Sequence, residues 1–301
     1  FNQFNPTESL IFGTDKRKGI HVYDIYGNEL AFSKQGATNN IDLRVINKDV
    51  HVVVSNRTLS TLDYWIFPEE NLFDYFKTNT SDPFSEDVMH HHLKANMNVY
   101  GVCMGIVDGK PYAALTEEEG PRIQLWDLTS KQVINTLDIT ADETNVPKSG
   151  NEAEGCVFDD ENKHLLISRE GKRGYLKAFK SDTLEMIKVV DSRDGNIIGD
   201  PEGVAIYATS DNEGYVILSS QGSNEFNLYD RKNLTFIEKF KINGVEDTDG
   251  LDVTNNQVKG IFPNGFLVVQ DGRNLPSNQN FKIISMEEVL KKKLSHHGST
   301  H

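Results

Sequence analysis

Residues 151–170 read NEAEGCVFDDENKHLLISRE. Glu152 and Glu154 precede a compact apolar run, Cys156 to Phe158. Asp159 to Asn162 supply an acidic turn rich in residue types that tolerate left-handed backbone and bond their own amides. Leu165, Leu166 and Ile167 then run back to Glu170. The stretch therefore reads as two short antiparallel strands with carboxylates at their ends. Taken alone it is a solvated hairpin with ordinary surface acids. Its recurrence along the chain changes that reading.

Six copies of a strand, polar link and second strand with a late aromatic are present. They are LIFGTDKRKGIHVYDIYG from Leu10, HVVVSNRTLSTLDYWIF from His51, YAALTEEEGPRIQLWDL from Tyr112, LLISREGKRGYLKAFKSD from Leu165, YVILSSQGSNEFNLYDR from Tyr215 and FLVVQDGRNLPSNQNFKII from Phe266. Their spacing of roughly 40 to 60 residues is that of four-stranded propeller blades. A further short strand stands ahead of five copies: NNIDLRVI, VYGVCMGI, EAEGCVF, DPEGVAIY and DTDGLDV. Segments such as VINTLDI from Val133, MIKVVDS from Met186 and FIEKFKI from Phe236 supply the fourth strand. The fold class is all-β, a six-bladed β-propeller with four antiparallel strands per blade, the first blade lacking its innermost strand. Helical periodicity is confined to Met286–Leu294. Residues 1–294 are expected to form one domain, and 295–301, SHHGSTH, an appended tail.

A chain of 301 residues, 37% hydrophobic, can bury a large core. It contains no stretch of the ~20 apolar residues needed to span a bilayer, and no signal segment. A net charge of -14, with pI near 5.1, argues against nucleic-acid or anionic-membrane partners. A polyanionic substrate would be repelled unless cations came with it. The two cysteines, Cys103 and Cys156, lie in apolar strands without CxxC spacing. Buried free thiols are the preferred reading, a disulfide the alternative.

In a propeller the innermost strands line a central channel, and the loops leading into them gather at one end. Glu154, Glu202 and Asp249 each stand directly before a glycine, in EAEG, DPEG and DTDG. Three equivalent carboxylates from successive blades should converge on one mouth. Acid plus glycine also makes a good turn, but three copies at one position favour a metal site. Oxygen ligands without cysteine or paired histidine favour Ca²⁺ over zinc. His90 to His92 are consecutive on a strand and do not face one ion. Lys16, Arg17 and Arg57 follow second strands and Arg44 lies in a first strand, so cations beside the acids suit a ligand with several phosphates or carboxylates.

These motifs, in this order from about Leu10 to Ile284, resemble the β-propeller phytases, the alkaline calcium-dependent 3-phytases of bacteria. The resemblance rests on GTDKRKGIHVYD, NNIDLR, SNRT, VYG, EAEG with DDE and SRE, GDPEGVAIY, SSQGSNEFNLYDR, DTDGLDV, LVVQDGRN and NQNFKI. It implies a secreted or periplasmic, monomeric phosphomonoester hydrolase acting on phytate (inositol hexakisphosphate) or other inositol polyphosphates. Several Ca²⁺ ions would serve it, with direct attack of a calcium-bound water. Carried onto matching positions, Tyr100, Glu154, Glu170, Glu202 and Asp249 would surround catalytic calcium, and Lys16, Arg17 and Arg57 would hold phosphates. Asp200 and Asn280, with Asn39, Asn40 and Gln221, would hold structural calcium.

Three departures stand out. The family's acidic segment D-D-P-A-I-W before the first repeat has no counterpart here, in agreement with the gap in blade 1. Glu118 stands where the family offers a lysine to phosphate, with Arg122 the compensating cation. The loop before DTDG is short, leaving Glu246 as a substitute for a second acid. The alternative reading is a calcium-binding propeller of another class, lactonase-like, esterase-like or non-catalytic.

Overall fold

The computed structural model describes residues 1–80, 82–85, 88–146 and 150–297, without the side chains of 292–297. Six antiparallel sheets follow one another, each with its strands paired in chain order. Blade 1 holds β1 (Leu10–Asp15), β2 (Gly19–Asp24) and β3 (Glu29–Ser33); blade 2 holds β4 (Thr38–Ile46), β5 (Asp49–Asn56), β6 (Thr61–Pro68) and β7 (Met89–Lys94). Blade 3 is β8 (Val99–Val107), β9 (Lys110–Glu117), β10 (Arg122–Asp127) and β11 (Gln132–Asp138). Blade 4 is β12 (Ala153–Asp159), β13 (His164–Arg169), β14 (Tyr175–Lys180) and β15 (Met186–Ser192). Blade 5 is β16 (Asp200–Ala208), β17 (Gly214–Gln221), β18 (Glu225–Asp230) and β19 (Phe236–Phe240), and blade 6 is β20 (Leu251–Thr254), β21 (Phe266–Asp271) and β22 (Asn280–Ser285).

The strand sequences follow from where each strand sits. Second strands are packed on both faces and read as apolar runs: Val52, Val53 and Val54 of β5 and Leu165, Leu166 and Ile167 of β13 are fully buried. Outermost strands alternate, as β11 does with every second side chain exposed. Apolar clusters fill the gap between each neighbouring pair of blades, for example Cys103, Leu125, Phe158, Ile167 and Phe179 between blades 3 and 4.

Blade 1 has three strands, as expected, and among the described residues nothing pairs with the channel side of β1. Blade 6 is also three-stranded. Helix α2 (Met286–His297) follows β22 and buries Met286 and Val289 in the cluster shared by blades 5 and 6. The expected terminal helix is thus present and runs three residues further; of the expected tail, 298–301 lie outside the described residues. A helix the periodicity did not signal, α1 (Leu72–Thr78), lies in the β6–β7 connection. Its Phe76 packs with Phe12, Phe67 and Phe84 over the seam of blades 1 and 2.

Three further expectations are corrected. Cys103 of β8 and Cys156 of β12 form a disulfide between innermost strands of adjacent blades, with Cα atoms 5.6 Å apart, so neither is a free thiol. The acidic turn of 151–170 is not an ordinary solvated one either. Asp159 is 1% exposed and receives Arg231 Nε and Nη2 at 2.8 and 2.6 Å, locking blade 4 to blade 5. Asp160 accepts from Arg44 Nε and the Ile106 amide, both at 2.9 Å. Arg44, expected at the rim of the acids, therefore lies toward the opposite end of the channel, near Asp42 and Asp160.

Burial alone would raise Asp159, but hydrogen bonds from Arg231 and Asn162 outweigh it and hold the carboxyl below its ordinary value. A lowered folded-state pKa gives stability that is present above the unfolded pKa and lost as pH falls through the folded one. Arg231→Met should lower unfolding free energy by about 3–5 kcal/mol at neutral pH, because a buried carboxylate loses its partner. The deficit against the parent should narrow as pH approaches ~4, where the unpaired carboxyl takes up a proton. Urea unfolding at both pH values checks the sign.

Candidate active site

The first turn of the innermost strands is not regular. Between Val99 and Val102, Ala153 and Cys156, and Pro201 and Val204, two residues face one on the second strand. Each is a β-bulge, which bends the strand and re-aims a side chain. The bulged pairs are Tyr100–Gly101, Glu154–Gly155 and Glu202–Gly203, and blade 2 bulges likewise at Asn39–Asn40. In EAEG and DPEG the acid–Gly pair read as a turn is thus a bulge within the strand, whereas Asp249–Gly250 of DTDG stands ahead of β20. In both bulges the glycine is required by close approach: a Cβ on Gly155 would sit 2.5 Å from the Glu202 carbonyl oxygen, and one on Gly203 2.5 Å from that of Asp249.

A hydroxyl residue faces each bulge: Ser55, Thr116, Ser168 and Ser219. Ser168 Oγ accepts from the Gly155 amide at 2.9 Å and donates to the Glu202 carbonyl of the next blade. Ser55 donates to Tyr100 O, Ser219 to Thr248 O at 2.7 Å, and Thr14 of β1 to Asn39 O at 2.7 Å. Thr14 in this series identifies β1 as a second strand. Two residues beyond each hydroxyl stand Lys16, Arg57, Glu118, Glu170 and Gln221, five equivalent positions around the mouth.

These elements bring the expected acids together. Glu154 and Glu202 are 8% and 5% exposed and hydrogen-bonded to each other. Burial first, then neighbouring acids, push both carboxyls well above the usual range: Glu202, Glu152 and Glu170 act on Glu154, and Asp249 and Glu170 on Glu202. Glu152, Glu154 and Glu170 each offer an oxygen within 4.8 Å of the others. Glu152 was not among the expected ligands; its signal was its place two residues before Glu154, just ahead of the bulge. Asp249 joins the same group through Lys16 Nζ at 2.9 Å and Gln221 Nε2.

Tyr100 lies under two cations, with Lys16 Nζ 5.6 Å and the Arg57 guanidinium 5.5 Å from its ring centre. Burial would lower Lys16, but Asp249 and the Tyr100 and Glu154 groups keep its ammonium above the ordinary range. Arg57 pairs with Glu118 and Arg122 with Glu117. Arg17 is exposed. Asp200 is paired with Arg193 and, with Gln221, Asp249, Gln270 and Gln279, lines a cavity of about 380 Å³ between blades 5 and 6. Asn280 opens β22 with an exposed side chain, outside that lining, and Glu246 pairs with Arg273. Asn39 Oδ1 is buried without a donor. His90, His91 and His92 lie on the outermost strand β7, away from the mouth, and His92 binds Asp63 at 2.7 Å.

The donor set is all oxygen, and its buried acids hold protons unless a cation replaces them. Both properties fit a hard divalent ion.

The family model described as Phytase matches residues 2–298. A 3-phytase of Bacillus subtilis (strain 168) is 29% identical over 305 residues, covering 95% of this chain and 77% of that protein. Among solved structures, the one titled "Crystal structure of Nidogen/Laminin Complex" contains a chain that superposes with a TM-score of 0.57 at 11% identity, over 87% of this chain and 84% of that one. The likeness to that structure concerns the fold alone.

Ser168→Ala should strand a buried amide and a buried carbonyl at the bulge that carries Glu154. The expected loss is about 1–3 kcal/mol in urea unfolding, against less than about 0.5 kcal/mol for Ser130→Ala, an exposed control.

Proposed function

This chain belongs to the phytase family, and on that premise we propose that it removes phosphates from phytate at the channel mouth, using Ca²⁺ held by Glu152, Glu154, Glu170, Glu202 and Asp249. The observation that carries this reading is the carboxylate cluster of Glu152, Glu154 and Glu170 set beside a tyrosine flanked by Lys16 and Arg57. Acids alone would repel a substrate bearing several phosphates, and cations alone would bind it without activating water. Calcium, when bound, supplies neutralisation of the phosphate oxygens and lowers the pKa of an attacking water.

The chain's own groups divide the remaining work. Lys16 and Arg57, over the Tyr100 ring, and the exposed Arg17 grip phosphates. Glu154 and Glu202, both raised, would give up their protons in holding the ions, so loading would be favoured by higher pH. Tyr100 lines the site between both sets, and Asp200 and Gln221 extend it toward blade 6, with Asn39, Asn40 and Asn280 as outer oxygen donors. The mouth holds no serine, histidine and aspartate arrangement among the described residues, so direct attack by water is preferred to a covalent phosphoenzyme.

Secretion or export to the periplasm accords with the Cys103–Cys156 disulfide, which persists in oxidising compartments, and with a calcium requirement. Among the described residues no helix is long and apolar enough to cross a membrane.

Phosphate release from phytate with added Ca²⁺, run beside a panel of lactones, separates this reading from a propeller of another class; hydrolysis of lactones alone would overturn it. Saturating chelator should abolish phosphate release and lower the thermal midpoint together, since ions that bind only the folded form stabilise it. Glu202→Gln keeps the shape and removes the charge. It should lower kcat/KM by at least about tenfold and weaken calcium binding in calorimetry, and parental values in both would remove Glu202 from the site.

A further inference from the structure

Arg57 does not stand free at the mouth. Its Nη2 is ion-paired with Glu118 of the neighbouring blade, and the two side chains are 32% and 26% exposed, shielded enough from solvent for the pair to matter. Its backbone amide is fixed on Ala37 O at 2.8 Å, and its guanidinium carbon lies over the Tyr100 ring, 5.5 Å from the ring centre. Its Nε is buried with no acceptor. Glu118 is held as well, its amide donating to Asn98 O at 3.0 Å. The cation is thus placed by its backbone and an aromatic face, keeps one unsatisfied donor, and spends another on a carboxylate.

The ring of equivalent positions explains why this pairing is a choice of sequence. Lys16, Arg57, Glu118, Glu170 and Gln221 each stand two residues beyond the hydroxyl that faces the bulge. Glu118 is therefore delivered to the mouth by the same backbone that delivers Lys16 and Arg57, directly beside Arg57. Lys16 has its own acid, Asp249, and Glu170 belongs to the carboxylate cluster. Glu118 is the member of the ring that pairs with a phosphate-gripping guanidinium rather than with a metal-site group.

Resting on the functional reading above, we propose that Glu118 is a specificity-determining residue. It occupies Arg57 in the free enzyme and reserves that guanidinium for a ligand group that displaces a carboxylate, a phosphate already tethered nearby through a second phosphate on the same molecule. A guanidinium binds carboxylate and phosphate through the same forked donors, so the two compete for one site. A phosphate held close by a neighbouring contact has a high effective concentration and wins that competition; a lone phosphate in dilute solution does not.

The test uses the full chain and two readouts: KM and kcat for phytate with Ca²⁺, and the calorimetric Kd of myo-inositol hexakissulfate, an unhydrolysed polyanion, measured with and without Ca²⁺. Glu118→Gln should lower KM and Kd by about three- to tenfold, with a much smaller change in kcat. Glu119→Gln removes the same charge from the adjacent exposed residue and should change neither by more than about 1.5-fold. In an Arg57→Ala background, Glu118→Gln should have no effect. Unchanged affinity in Glu118→Gln, an equal gain in Glu119→Gln, or a gain that survives without Arg57 each overturns the proposal. Failure of the functional reading looks different: the parent releases no phosphate from phytate, or Arg57→Ala binds the hexakissulfate as tightly as the parent.

Discussion

A hydroxyl in each of blades 1 to 5, and Gln270 in blade 6, set the geometry on which the mouth depends. On a regular strand, side chains alternate between the two faces of a blade, and none is aimed along the channel axis. The bulge breaks that alternation at Tyr100, Glu154 and Glu202; at the first two the facing Thr116 or Ser168 hydroxyl accepts from the displaced glycine amide, and at the third the Gly203 amide donates to Asp249 O of the next blade. Ser168 shows both halves of the job, accepting from its own blade and donating to the next. Each such bond contributes only about 1 kcal/mol net, but leaving the buried carbonyl unpaired would cost more. Because the acceptor belongs to the following blade, the bond that shapes one bulge also fixes its position against its neighbour.

Charge is arranged differently at the two ends of the channel. At the far end Arg44 lies among Asp42, Asp160 and Asp252, with Nε on Asp160 at 2.9 Å. Burial and then Asp42 raise Asp252 to about 6, but a guanidinium is already present to offset the acids. At the mouth the order is reversed: the acids Glu152, Glu154 and Glu202 cluster together while Lys16 and Arg57 stand on the Tyr100 side. Two like charges ~4 Å apart repel by about 4 kcal/mol at an effective dielectric near 20, so acids packed this closely favour a held proton or a nearby cation. The far end thus seats a guanidinium among its acids, whereas at the mouth Lys16 is bonded to Asp249, beside the cluster of Glu152, Glu154 and Glu170.

The propeller was legible because its physics is local. Doubly buried strands must be apolar runs, outer strands must alternate, and six repetitions leave little freedom. The disulfide could have been read from the same logic. Cys103 lies three residues after Tyr100 and Cys156 two after Glu154, so the two point to opposite faces of equivalent strands. Adjacent blades meet by opposite faces, which is the condition for pairing. Other features had no local signal. Asp159 and Arg231 are 72 residues apart, and α1 is too short for a periodicity to show, being held by contacts of Phe76 with blades 1 and 2. At the site, the acids before glycine were legible as a repeat. That Asp200, Glu118 and Arg122 are each engaged in ion pairs was not, because partners across a bulged ring depend on its curvature.

The site also bears on how the ring is closed. Between blades 5 and 6 the buried cluster includes Tyr207, Ile217, Phe226, Leu267, Val269 and Met286, whereas between blades 6 and 1 the fully buried members are Ile25, Val258 and Phe266. Both blades at that seam are three-stranded. Apolar burial contributes roughly 25 cal/mol per Å², so the seam with fewer buried side chains is the less strongly held. Yet this is where the mouth spans two blades, with Lys16 of blade 1 bound to Asp249 at the start of blade 6. A ligand gripping Lys16 while its ions engage Asp249 would bridge the same gap. Under the function proposed above, ligand binding and ring closure act on one interface, where Lys16 and Asp249 already join blades 1 and 6.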